Sequence, residues 1–236
     1  MKQATLQALQ VLRAGHQPAV VVSAVDGSFQ TLLDGTMAHR AGDALPVADV
    51  DLLKHSARAV LRTDASRIVS TAAGNDVFVQ AFNPPLRMVI IGAVHIAQSL
   101  APMGVLAGYD VVVVDPRRSF AADARFPGVS MHKIWPDDAL DALRPDARTA
   151  IVTLTHDPKI DDPALHVALR TDAFYIGCLG SRRTHAQRVE RLEAAGFSEA
   201  DIARIHAPVG LDIGARSPAE IAVSTLAQVT EALRKA

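Results

Sequence analysis

The sequence predicts an α/β protein, with a Rossmann-like parallel-sheet domain over residues 85–236 preceded by a small α+β domain over residues 1–84. Three observations carry this. From Met88 onward apolar runs alternate with helical segments, the run Val111-Val112-Val113-Val114 has no polar face, and Asn83-Pro84-Pro85 separates this half from a first half of different texture. Strand-helix-strand alternation implies βαβ crossovers and parallel pairing. Strands covered by helices on both faces read as continuous apolar runs. Two successive prolines interrupt sheet pairing and stiffen the chain, which puts the domain boundary there.

Taken in order, Leu6, Leu9 and Leu12 at three-residue spacing mark an amphipathic helix over residues 3–14, with Gly15 as its stop. Ala19 to Ala24 and Phe29 to Leu33 read as strands, Asp34-Gly35 as a hairpin turn and Thr36 to His39 as the returning strand. Val50 to Leu61 reads as a second helix, and Arg67 to Thr71 and Asp76 to Phe82 as strands. In the second half, strands are expected at Met88 to Ile91, Asp110 to Val114, Ala150 to Leu154 and Ala173 to Ile176. Helices are expected at Val94 to Leu106, Ala164 to Arg170 and Ser181 to Ala195, the last stopped by Gly196. The stretch between Val114 and Ala150 reads as turn-rich, and the four-valine strand is expected at the sheet centre. Ser217-Pro218-Ala219-Glu220 opens the final helix, because it combines a capping box with a proline whose φ suits the first helical turn.

Composition narrows the function classes. With 236 residues, 49% of them hydrophobic, a packed core is assured. A net charge of -1 argues against a polyanionic partner, and 4% aromatic residues are too few for a base-stacking surface, so nucleic-acid binding is not expected. The single cysteine, Cys178, forms neither an internal disulfide nor a CxxC zinc site, and no signal-peptide pattern opens the chain, so a cytoplasmic location is expected. No apolar run approaches the roughly 20 residues of a membrane-spanning helix.

Five segments carry candidate chemistry. The first is the turn Gly92-Ala93-Val94-His95-Ile96-Ala97 after a strand. A dinucleotide-binding turn wants glycine at its first and second key positions and glycine or alanine at its third. Gly92 and Ala97 suit the outer positions, but Val94 fills the middle one and obstructs the usual pyrophosphate approach, so ordinary NAD(P) binding does not follow from the fold. The second is Asp115, 23 residues after Gly92 and followed by Pro116-Arg117-Arg118. An acid at about this spacing (roughly 20 residues) can hold a ribose diol, and the two adjacent guanidinium groups of Arg117 and Arg118 a phosphate, although a solvated strand end would look the same. The third is Thr155-His156-Asp157, at a strand end that faces the ligand crevice, where His156 would carry a proton or orient a ligand if it is not merely structural; His95 is open to the same reading. The fourth is Gly177-Cys178-Leu179-Gly180-Ser181-Arg182-Arg183-Thr184, a bend into a helix whose first turn carries two arginines. The helix dipole disfavours cations there, so a bound anion held by helix amides and guanidinium groups would explain them. Within it, Cys178 is either a nucleophile or sulfur carrier or a buried apolar thiol, and the sequence supplies no activating base. The fifth is the glycine-bearing loop Pro208 to Arg216, with Asp212 at its middle, which either lines a site or makes a tight connection.

In this order these segments resemble the XdhC/CoxI accessory factors of xanthine dehydrogenase and carbon monoxide dehydrogenase. The shared motifs are the Gly92 turn, Val114-Asp115-Pro116-Arg117, Arg125-Phe126-Pro127, Thr155-His156-Asp157, Gly177 to Arg183, Pro208 to Gly214 and Ser217 to Ser224. The resemblance runs from Pro84 to the C-terminus. It implies a maturation chaperone, an accessory factor and not an enzyme, that binds the molybdenum cofactor (molybdopterin or its cytosine dinucleotide form) and delivers it to an immature molybdenum hydroxylase. It implies a sulfur-donating desulfurase as a further partner, and a homodimer suits a small chaperone with an exposed docking face. The implied cofactor-binding residues are Gly92, Ala93, Val94, His95, Asp115, Arg117, His156, Asp157, Gly180, Ser181, Arg182 and Asp212. The chain departs from the family pattern at Val94, where the family turn reads Gly-Ala-Gly-His. It departs again in the first domain, where Asp26-Gly27-Ser28-Phe29 stands in place of a Gly-Ser-Ala-Pro-Arg-like loop and no cysteine precedes Cys178. The residues leave two other readings open, an NAD(P)-dependent oxidoreductase and a ligand-free scaffold of the maturation machinery.

Overall fold

A strand without a polar face organises the first unit, Met1–Pro84, of a computed structural model that describes residues 1–121 and 123–235. Its elements are α1 (Gln3–Ala14), β1 (Ala19–Ala24), β2 (Gln30–Asp34), β3 (His39–Gly42), α2 (Val50–Thr63), β4 (Arg67–Ser70) and β5 (Asp76–Phe82). The strands form an antiparallel sheet in the order β3-β2-β1-β5-β4. Side chains alternate across a strand, so Ala19 and Val21 of β1 meet Leu9 and Leu12 of α1, while Val20 and Val22 meet Leu53, Ala57 and Val60 of α2. One helix on each face leaves β1 no solvated side.

Two local expectations are corrected here. Leu6 is exposed, and the buried stripe of α1 is Thr5, Leu9 and Leu12. The helix ends at Ala14 with Gly15 as its C-cap, as expected, although Gly15 itself is not left-handed at φ -84°. The left-handed residue is His16 at φ 51°, just past the cap, where Gln17 N–H reaches back to the Leu12 carbonyl and His16 N–H to the Arg13 carbonyl. The returning strand of the hairpin also starts at His39 and not at Thr36. Asp34 Oδ1 accepts from Thr36 N–H, Thr36 Oγ1 and Ala38 N–H, and this side-chain knot builds a wider loop than a two-residue turn.

The second unit, Pro85–Ala236, begins with β6 (Leu86–Ile91), α3 (His95–Leu106) and β7 (Tyr109–Val114). It continues with β8 (Ser130–His132), α4 (Pro136–Leu143), β9 (Thr149–Thr153), α5 (Pro158–Ala168) and β10 (Tyr175–Cys178). It ends with α6 (Arg182–Ala194), α7 (Glu199–Ile202), β11 (Ile205–His206) and α8 (Pro218–Lys235). All neighbours pair parallel in the order β11-β10-β9-β6-β7-β8, the Rossmann arrangement. Val111 and Val113 join the core under α3 and α8, and Val112 and Val114 join the core under α4, α5 and α6. The four-valine strand is therefore buried on both faces, yet it lies beside the edge strand β8, and the middle of the sheet is β6 and β9.

The turn-rich stretch holds two elements the periodicity hides. β8 has only three residues, too short for a pattern, and α4 opens with Pro136 in its first turn followed by Asp137 and Asp138, a start signal written in the sequence. Helix α5 likewise starts at Pro158, not after Pro163, because Asp157 caps it by accepting the Lys159 N–H. The capping box of α8 forms as expected: Glu220 Oε2 accepts from Ser217 N–H at 2.9 Å and Glu220 N–H reaches Ser217 Oγ at 3.3 Å.

Candidate functional site

Parallel strands direct their carboxyl ends to one edge of the sheet, and the chain leaves β6 toward β7 on one side and reaches β9 on the other. The crevice at such a reversal is where open α/β sheets take ligands. Four of the predicted segments follow β6, β7, β9 and β10 and so share this edge.

The turn after β6 is fixed by contact. Gly92 has φ 106°, and a Cβ placed there would stand 2.5 Å from Thr155 Cγ2 in the loop after β9, so only glycine fits. Val94 is the N-cap of α3 at φ -86° and ψ 178°, an extended geometry that any residue adopts, so its side chain matters by bulk alone. Neither a capping side chain nor an acid in the first turn covers the amides at the start of α3. His95 is exposed beside them.

Asp115 is wholly buried and all four of its acceptor positions are filled. Oδ1 accepts Arg117 N–H and Nε, each at 2.9 Å, while Oδ2 accepts Arg117 Nη2 and Ala93 N–H, each at 2.8 Å. Burial opposes ionisation, but the Arg117 guanidinium and the amides of Arg117 and Ala93 outweigh it and hold the carboxyl below its ordinary value. The carboxylate thus ties the end of β7 to the Gly92 turn. Arg117 is anchored by this pair and stacks on Phe120 at 4.2 Å. Arg125 donates to the carbonyls of Ala93 and Phe120 and pins the same turn from outside.

In the loop after β9, His156 is exposed and left-handed at φ 61°, and Asp157 caps α5. Thr155 Oγ1 donates to Asp161 Oδ1 at 2.7 Å. Asp161 is buried, its Oδ2 has no partner among the described residues, and burial pushes its carboxyl up against the pull of Thr155 and the Arg188 charge.

In the bend after β10, Ser181 caps α6 by accepting the Thr184 N–H at 3.1 Å, and Arg182 and Arg183 follow on the surface. Arg182 and Asp212 both line a cavity of about 440 Å³, together with Leu179, the loop from Pro208 to Ala215, and Ile221 and Ser224 of α8. The fourth and fifth segments therefore make one site. Cys178 is fully buried with Sγ 2.7 Å from Thr153 Oγ1, and burial pushes its thiol up to about 12, with Arg188 pulling the other way. This is the inert buried thiol, not the nucleophile. In the folded protein at pH 8, iodoacetamide is expected to leave Cys178 unmodified and to label it fully once denaturant is added; rapid labelling of the native protein in a mass spectrum contradicts this burial.

Sequence reasoning missed two residues at the base of the site, Asp161 and Arg188. Both sit on a readable helical stripe: Ile160, Asp161, Ala164, Leu165 and Ala168 are the buried face of α5, and Arg188 precedes buried Leu192 by one turn of α6. Among the described residues no group of histidine, cysteine, aspartate or glutamate could hold a metal ion, and no helix is long and apolar enough to cross a membrane.

Residues 88–229 match the XdhC Rossmann domain. Over 226 residues the chain is 30% identical to YqeB of Escherichia coli strain K12, covering 92% of this chain and 40% of that protein. It is 33% identical over 152 residues to the molybdenum cofactor insertion chaperone PaoD of the same organism, covering 64% of this chain and 42% of PaoD. It is 28% identical over 179 residues to a probable xanthine dehydrogenase subunit of Bacillus subtilis strain 168, covering 73% of this chain and 52% of that protein. The chain thus spans about half the length of these relatives or less. A crystal structure described as a xanthine dehydrogenase from Bacillus halodurans shares the fold at a TM-score of 0.73 and 22% identity, covering 97% of this chain and 66% of that one. The likeness therefore extends beyond the second unit into the first.

Proposed function

The chain belongs to the XdhC family through its Rossmann domain, and from that premise we propose that it is a maturation chaperone that holds the molybdenum cofactor as cargo and passes it to a molybdenum hydroxylase. The observation that carries this is the start of α6: a serine-capped helix, without an acid in its first turn and with Arg182 exposed, opens beside the 440 Å³ cavity. Helix amides and a guanidinium suit a phosphate, and the cavity has the size of a small-molecule site. The cofactor's pterin bears a phosphate, so Gly180, Ser181 and Arg182 would hold that end. Asp212, on the wall of the same cavity, would accept from its amino groups, and His95 and His156 would stand at the mouth over Gly92 and Ala93, with Asp157 behind. Similarity to PaoD, a protein named for molybdenum cofactor insertion, supports the same cargo.

The reading is favoured over NAD(P) chemistry by Asp115 and Val94. The acid best placed for a ribose already has every acceptor position filled, and the branched side chain stands in front of α3. Cys178 is unsuited to carry sulfur, so sulfuration would fall to a separate desulfurase. Purified protein mixed with free molybdenum cofactor should retain it above a size-exclusion filter, whereas cofactor passing wholly into the filtrate sinks the proposal. Titration of NADH fluorescence to millimolar concentration should show no binding. Val94→Gly opens the approach to the amides of α3, and is expected to tighten cofactor binding about tenfold. Unchanged or weaker retention by that variant removes Val94 from the site.

A further inference from the structure

Arg188 is the most deeply buried basic residue among the described residues, 2% exposed. Only its Nη2 has an acceptor there, the Leu179 carbonyl at 3.1 Å; Nε and Nη1 are buried without a partner. Arginine is almost never buried so completely unless paired, and an uncompensated buried charge is strongly destabilising. The carboxylate nearest in electrostatic effect, Asp161, is engaged by Thr155 and disfavoured as an anion by burial. Asp162 is taken by Arg191, at 2.6 and 3.0 Å. His185, one turn before Arg188, is pushed toward its neutral form by burial and by the Arg188 charge. Two of the three guanidinium nitrogens of Arg188 are thus buried without a hydrogen-bond acceptor, and no carboxylate is paired with it directly among the described residues.

The position of that charge says what would balance it. Arg188 Nη2 stands 3.7 Å from where a Cβ of Gly180 would lie, and Gly180 has φ 144°, so the guanidinium backs directly onto the glycine bend before Ser181. Ser181 occupies the Thr184 N–H, leaving the amides of Arg182 and Arg183 without an intrahelical acceptor. We propose that Leu179 to Arg183 is the seat of a terminal phosphate monoester, with Arg188 as its buried counter-charge, Arg182 closing over it and Asp212 accepting from the hydroxyl or amino groups of the same ligand. The inference deepens the cargo reading, on which it rests for the ligand's phosphate. It adds to the bend after β10, already assigned to that phosphate, the buried guanidinium behind it, and so makes Arg188 a binding residue.

The test uses the full chain with inorganic phosphate as the probe, against matched sodium chloride. Phosphate at about 10 mM should raise the melting temperature of the wild type, as any ligand of the native state does. Arg188→Met should weaken phosphate binding about tenfold or more. Because that variant can fail to fold, Ser181→Asp is the second arm. Aspartate caps helices as well as serine and favours a helix N-terminus, so S181D should keep or raise the melting temperature while abolishing the phosphate response. A wild type indifferent to phosphate, or an S181D protein that binds it as well as the wild type, overturns the proposal. Phosphate binding lost in S181D while molybdenum cofactor passes freely through the filter supports the seat and removes the cargo reading. Cofactor retained equally by wild type and S181D overturns the seat and leaves the cargo reading intact.

Discussion

Replacing Asp115 by alanine is expected to destabilise the Rossmann unit by about 3–5 kcal/mol, the range found when one partner of a buried ion pair is removed. The carboxylate is fully buried and takes four hydrogen bonds, three from Arg117 and one from Ala93 N–H. Alanine would leave a buried amide and a part-buried guanidinium without their acceptor, and would free the Gly92 turn from the end of β7. The single tryptophan, Trp135, lies in this unit, so its fluorescence in a urea titration reports the transition. The pH dependence follows from the direction of the shift. The folded value lies below the unfolded one, about 3.9, so the folded state binds the proton less readily. The contribution of Asp115 is then complete above the unfolded value and lost as pH falls through the folded one. In Asp115→Ala the acid limb of the stability profile should flatten below about pH 4. A loss under about 1 kcal/mol, or an unchanged acid limb, would show that Asp115 does not hold the turn.

The same residue shows where the sequence is legible and where it stops. Its spacing from Gly92, and the strand before it, locate it at the mouth of the sheet, and it is there. What spacing cannot express is occupancy: Arg117, two residues on, folds back to fill the carboxylate, so an acid that reads as a ribose ligand is a brace. The fold is readable because burial on two faces removes the polar positions of a strand, as in Val111 to Val114 and in Ala19 to Val22. Short elements escape because three residues of β8 hold no period. Helix α5 reads as starting late because Pro163 looks like a start, while the true start depends on the Asp157 side chain. Arg188 stays hidden for the opposite reason. Charge assigns a residue to the surface by default, and only its register with Leu192 places it inside. The cavity joining Arg182 to Asp212 is a tertiary fact that no local pattern contains.

Gly92→Ala is expected to cost about 2–5 kcal/mol, and its partner can be named. The backbone share comes from φ 106°, which L side chains rarely adopt; left-handed geometry costs about 1–2 kcal/mol. The packing share comes from Thr155 Cγ2, 2.5 Å from the new methyl, an overlap of the kind that costs about 1–3 kcal/mol in a packed interior. Thr155→Ser deletes that methyl and keeps the hydroxyl that donates to Asp161. In the Gly92→Ala, Thr155→Ser double variant the packing share should return and the backbone share remain, so the urea midpoint should recover partway toward that of Thr155→Ser alone. The cycle separates two causes that the single variant mixes. A coupling within about 0.5 kcal/mol of zero would mean that the β6 turn and the β9 loop do not touch as described. The two walls of the crevice would then be set independently, and any ligand held across them would have to bring them together itself.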